Sequence, residues 1–102
     1  MIALPPPAPA RVQVVAREFS FALSRQVVHA GKAIIELSNA GEDAHDLRMR
    51  RLGGTRVYDW PVTQAGGVVD REYTLLPGRY ILYCSIANHR ARGMFAVLRV
   101  RR

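Results

Sequence analysis

From residue 11 onward the chain reads in short runs whose hydrophobic side chains recur at every second position. "KAIIELS" (32–38) sets Ala33, Ile35 and Leu37 on one face. "HDLRMRRL" (45–52) sets His45, Leu47 and Met49 against Asp46, Arg48 and Arg50. "VVDREYTLL" (68–76) aligns Val69, Tyr73 and Leu75, and "RYILYC" (79–84) aligns Tyr80, Leu82 and Cys84. "RVQVVAREFSFALS" (11–24) shows shorter alternations, and "MFAVLRV" (94–100) closes the pattern. A period of two marks strands with one face buried. Turn signals separate them: "NAGED" at 39–43, "LGGT" at 52–55, "AGG" at 65–67 and "PG" at 77–78. No stretch keeps a helical period. The pattern predicts an all-β fold, an antiparallel β-sandwich. Residues 53–67 are the least regular and read as a loop excursion holding a short strand or one helical turn.

A chain of 102 residues suits one domain with its own core. Its single cysteine excludes an internal disulfide, so Cys84 serves packing, reactivity or metal ligation. The net charge of +7 comes from 14 arginines and one lysine, scattered along the chain. Basic runs with interleaved aromatics are absent, which argues against nucleic acid as a partner. A basic surface favours acidic partners or anionic membrane surfaces. No segment reaches the roughly 20 apolar residues of a membrane helix. The start, "MIALPPPAPARV", has no positive n-region, and prolines break its apolar stretch, so it does not read as a signal peptide. We expect residues 1–11 to be a proline-rich tether and 12–102 to be the domain. An export signal or membrane anchor upstream of the tether is the matching expectation.

The chemistry concentrates in "YCSIANHRARGM" (83–94), where His89 follows Cys84 by five positions and Met94 follows His89 by five. Cys84 ends one predicted strand and Met94 begins the next, so the intervening loop converges their side chains at one end of the sandwich. His45 opens a strand after "NAGED", and strand ends on one side of a sandwich are neighbours. Two imidazoles, a thiolate and a thioether suit copper in both oxidation states, because soft sulfur favours Cu(I) and nitrogen favours Cu(II). Zinc also accepts Cys and His, but methionine is a poor zinc ligand.

With these residues in place, "ELSNAGEDAHDL" and "PGRYILYCSIANHRARGM" resemble the two ligand regions of the cupredoxins, the small blue copper proteins, over most of residues 12–101. The four-residue spacers resemble the longer-loop members, such as rusticyanin. The resemblance implies a Greek-key sandwich of seven to eight strands holding one copper ion. His45, Cys84 and His89 are then the strong ligands and Met94 the weak axial one, with His89 as the exposed edge for electrons. It further implies a monomeric electron shuttle between redox proteins, with no substrate of its own, in the periplasm or another extracytoplasmic space. Asp46 departs from the asparagine often found after the first histidine, where that residue staples the two ligand loops. Ionised, Asp46 places a negative charge near the copper; protonated, it mimics the amide.

Other copper classes fit less well. Multicopper oxidases bracket the cysteine with histidines, whereas Tyr83 and Ser85 flank Cys84. A binuclear copper-A site needs a second cysteine, and a type 2 site needs more histidines than the remaining His29. A cell-envelope copper carrier or storage protein would use exposed Met- and His-rich segments, and the chain has none. A cupredoxin-shaped interaction domain of a longer membrane protein is a third class. Taken alone, Cys84 and Met94 read as core residues, as does Met49. His29 reads as surface, Ser38 and Asn39 as turn formers, and Tyr58 and Trp60 as anchors of the irregular segment. Arg90 and Arg92 beside His89 read as loop-surface charges or as a docking rim for an acidic partner face.

Overall fold

The alternating runs fold as strands in the computed structural model, which describes residues 3–102. Nine strands follow one another: β1 (Ala10–Arg17), β2 (Ser20–Leu23), β3 (Val27–His29), β4 (Gly31–Asn39), β5 (His45–Arg51), β6 (Val57–Thr63), β7 (Val68–Leu75), β8 (Gly78–Tyr83) and β9 (Phe95–Arg101). They form two sheets, in the orders β2-β1-β4-β7 and β3-β9-β8-β5-β6. The architecture is the expected all-β sandwich. The strand count exceeds the expected seven or eight because "RVQVVAREFSFALS" folds back on itself as the β1–β2 hairpin, pairing Arg17 with Ser20, and short β3 follows. Two pairings are parallel, β1 with β4 and β3 with β9, where an antiparallel sandwich was expected.

The segment expected to be irregular contains β6, a seven-residue edge strand. Its pairing with β5 runs in register from Arg50 and Val57 to Leu47 and Trp60, then slips so that His45 faces Thr63. One extra residue on β6 makes this a bulge, and Pro61 lies within it. Proline lacks a donor N–H, so it is tolerated at bulges and on edge strands. The buried positions of β6 accordingly jump from Tyr58 and Trp60 to Thr63.

The inward faces meet in one core containing Val12, Val14, Ile35, Leu37, Leu47, Met49, Trp60, Tyr80, Leu82 and Leu98. Trp60 joins the sheets by donating its indole N–H to the Ile35 carbonyl (3.0 Å), and its ring meets Tyr73 edge-on at 5.3 Å. Tyr80 donates its hydroxyl to the Leu76 carbonyl (2.8 Å). That bond fixes the entry into β8, the strand that ends beside Cys84. No helix among the described residues is long and apolar enough to cross a membrane. β1 begins at Ala10, two residues before the expected domain start. Met1 and Ile2, part of the expected tether, lie outside the described residues.

Candidate metal centre

Two neighbouring strands deliver the first donors. β5 begins at His45, and β8 leads into Cys84; the two strands are paired, with Arg48 opposite Tyr83. The loop after Cys84 is a series of tight turns. His89 N–H donates to the Ile86 carbonyl (3.0 Å), and Met94 N–H donates to the His89 carbonyl (3.1 Å). Cys84 N–H closes the loop on the Met94 carbonyl (3.2 Å). His45, Cys84 and His89 are thereby brought together, with one donor atom of each inside a 4.8 Å cluster. His89 Nδ1 lies 3.6 Å from Cys84 Sγ, and the two imidazole centroids are 5.0 Å apart. Met94 is fully buried beside them, tied by its backbone to both Cys84 and His89.

Two facts make this cluster more than packing. Both ring nitrogens of His45 are buried without a hydrogen-bond partner. An unpaired buried polar group costs about 1–3 kcal/mol, and a metal ion would satisfy one of the two. Burial also pushes the Cys84 thiol up, against the opposing backbone N–H groups of Ile86 and Asp46, and the nearby Asp46 charge adds to the rise. Without a cation the sulfur is therefore neutral at neutral pH. The residues fit a metal: two imidazoles and a thiol, dry and converging, form a set that copper or zinc accepts.

Around the donors, residues from distant strands fix the geometry. Asn39, which the sequence presented as a turn former, is fully buried. Its amide donates to the Asp43 and Thr63 carbonyls (2.8 Å each), and its oxygen accepts the Gly41 N–H (2.9 Å). It thus locks the 40–44 loop to the end of β6 next to His45. Asp46 accepts the Ser85 N–H at 2.7 Å and the Ser85 hydroxyl. It lies 3.8 Å from the Arg48 guanidinium Nε, yet it is buried.

Glu18 and Phe19, at the tip of the β1–β2 hairpin, were absent from the sequence-level site. Glu18 Oε1 lies 3.4 Å from His45 Nε2 and accepts the Glu42 N–H (2.7 Å) and the Asp43 N–H. The bond from the Asp43 amide is the main cause that holds its carboxyl below the usual range. Phe19 packs on the His89 ring with centroids 5.0 Å apart. Gly93, at φ +125°, admits the Phe19 carbonyl where a Cβ would stand only 2.8 Å from it. With Phe19 over it, His89 is 8% exposed, a narrower edge than the exposed one expected. Arg90 and Arg92 are at the surface as expected. Both are also stacked, Arg90 on Tyr83 and Arg92 on Phe19, each with its guanidinium carbon 4.2 Å from the ring centroid. His29 is exposed, and Met49 is core.

No protein-family model matches the sequence, and no curated protein sequence does. Solved structures do match. Reduced auracyanin from Roseiflexus castenholzii superposes with a TM-score of 0.74 at 15% identity, over 94% of this chain and 100% of that one. Auracyanin A of Chloroflexus aurantiacus, a blue copper protein, superposes with a TM-score of 0.73 at 14% identity, over 92% of this chain and 100% of that one. A copper nitrite reductase from Nitrosomonas europaea scores 0.68 at 18% identity, over 92% of this chain but 42% of the enzyme. The fold is therefore that of the cupredoxins.

Proposed function

We propose that this chain is a mononuclear type 1 copper protein that carries single electrons between redox proteins. The observation that carries the reading is the buried convergence of His45, Cys84 and His89 donor atoms, with neither His45 nitrogen hydrogen-bonded and only the Glu18 carboxylate 3.4 Å from Nε2. His45 and His89 would hold the ion by imidazole nitrogen, Cys84 by thiolate, and Met94 would add a weak thioether donor. A copper ion held there would supply one-electron chemistry between Cu(I) and Cu(II).

The chain's own residues do the rest. The Asp46–Ser85 and Asn39 hydrogen bonds keep the donors from rearranging between oxidation states. The hydrophobic core beneath excludes water from the sulfur. Phe19 shields the His89 ring, leaving a narrow edge at the surface. Arg90 and Arg92 give that end of the sandwich a positive rim suited to an acidic partner. The fold likeness to small blue copper proteins along their whole length supports a carrier over an enzyme, because the matching reductase has more than twice the matched length. Residues 1–11 would be a tether for a monomeric domain working outside the cytoplasm.

Titrating the purified protein with Cu(II) while recording visible absorption tests the reading. One equivalent should produce intense sulfur-to-copper colour that persists against a chelator, whereas a copper carrier would yield its ion quickly. Absence of colour would overturn it.

A further inference from the structure

We propose that Glu18 is a positioning residue of this centre: a fixed carboxylate that orients the His45 ring and anchors the loop leading into it. Its electronic consequence rests on the copper reading above; its structural role does not.

Three observations converge on this glutamate. It sits at the tip of the β1–β2 hairpin, in the sheet opposite the one that carries His45. The Glu42 and Asp43 amides both donate to its Oε1, so the carboxylate is held by backbone, not left to sample solvent. That same oxygen is the charged group facing His45 Nε2. The chain also makes room for it. Gly41 lies so close to the Glu18 carboxylate that a Cβ there would overlap both oxygens.

A carboxylate beside one imidazole nitrogen favours the tautomer that keeps a proton on that nitrogen, leaving the lone pair on the other. Glu18 Oε1 stands 3.4 Å from Nε2 without forming a hydrogen bond, so it is its charge that biases the neutral ring toward the Nε2–H tautomer, with Nδ1 left as the donor. A fixed negative charge beside a ligand also favours the more highly charged ion, so it lowers the Cu(II)/Cu(I) potential. A glutamate that merely capped the loop would do neither.

Two substitutions separate these roles. Glu18→Gln keeps an oxygen that accepts the two amides but removes the charge. Glu18→Ala removes both. Ring nitrogen NMR of the metal-free protein should show His45 with its proton on Nε2 in the parent, and a mixture of tautomers in Glu18→Ala. Amide exchange at Glu42 and Asp43 should quicken by about fivefold to tenfold in Glu18→Ala, the scale of one lost hydrogen bond. It should stay near parent in Glu18→Gln. In the copper-loaded proteins, the Glu18→Gln potential should lie above that of the parent. An unchanged His45 tautomer in Glu18→Ala, or equal potentials for parent and Glu18→Gln, would overturn the proposal. A parent that takes up no copper would overturn the functional reading, while the metal-free ring signals still decide the role of Glu18.

Discussion

Ser85 gives both its backbone N–H and its hydroxyl to the carboxylate of Asp46. The two residues follow the candidate ligands Cys84 and His45 directly, so one side chain staples the ends of β5 and β8. The carboxylate does with two oxygens what an asparagine does with one acceptor and one donor.

Removing that carboxylate tests the staple. Asp46→Ala should destabilise the metal-free protein by about 1–3 kcal/mol, the cost of leaving a backbone donor unpaired beside a buried site. Ser85→Ala keeps the backbone bond and should cost about 1 kcal/mol. Urea unfolding of the two single variants and the double variant forms a mutant cycle. Strict additivity would show that the pair does not act as one unit.

The outer face of the β2-β1-β4-β7 sheet carries a predictable weakness. Asp70 lies directly across from Glu36. Asp70 is exposed, and its carboxyl is pushed up first by the local loss of solvent around it and then by the neighbouring Glu36 charge. The folded state therefore keeps the Asp70 proton to higher pH than the unfolded chain does. This contribution to stability is lost as pH rises from the ordinary aspartate value, 3.8, through the raised one. Asp70→Asn should abolish that loss and stabilise the protein at neutral pH by about 0.5 kcal/mol, the scale of an exposed cross-strand like-charge pair. Melting curves from pH 3 to 7 check it, and parallel curves for parent and variant would contradict it.

Met94 separates a core role from a ligand role. Replacing a weak thioether by a harder amide oxygen favours Cu(II), so Met94→Gln should lower the potential of the loaded protein. Voltammetry of parent and variant reads this directly. An unchanged potential would leave Met94 as a core residue alone.

Arg90 and Arg92 should act on encounter, not on the centre itself. Electron transfer to an acidic partner should slow as salt rises, because exposed charges are screened beyond about 8 Å at physiological ionic strength. Arg90→Glu with Arg92→Glu should slow it further at low salt and flatten the salt dependence, with little change in colour. Stopped-flow rates that match the parent at low salt would assign docking elsewhere.

The strands around Ile35, Leu47 and Tyr80 were legible because local alternation and burial agree there. The Cys84–His89–Met94 spacing was legible because one loop carries it. β6 was hidden by Pro61 and the bulge, which break the alternation at Trp60. The alternation sets Asp46 on the face opposite His45, where a polar residue is expected to be exposed; it is buried instead, bonded to Ser85, 39 residues away, which no local pattern shows. Glu18 and Phe19 could not be found by pattern, since a hairpin tip looks like any other turn. Only the pairing of β1 with β4 brings that tip to the histidines. Asn39 carried a weak signal: a turn residue at the end of a buried alternation has an inward side chain, and inward amides need partners.

The most direct test of the account is the visible spectrum of the parent and of Cys84→Ser, each with one equivalent of Cu(II). The account predicts an intense blue or green band in the parent that vanishes in Cys84→Ser. The variant should keep its β-sheet circular dichroism, because the core forms without the thiol's chemistry. A colourless parent, or colour retained in Cys84→Ser, would contradict it.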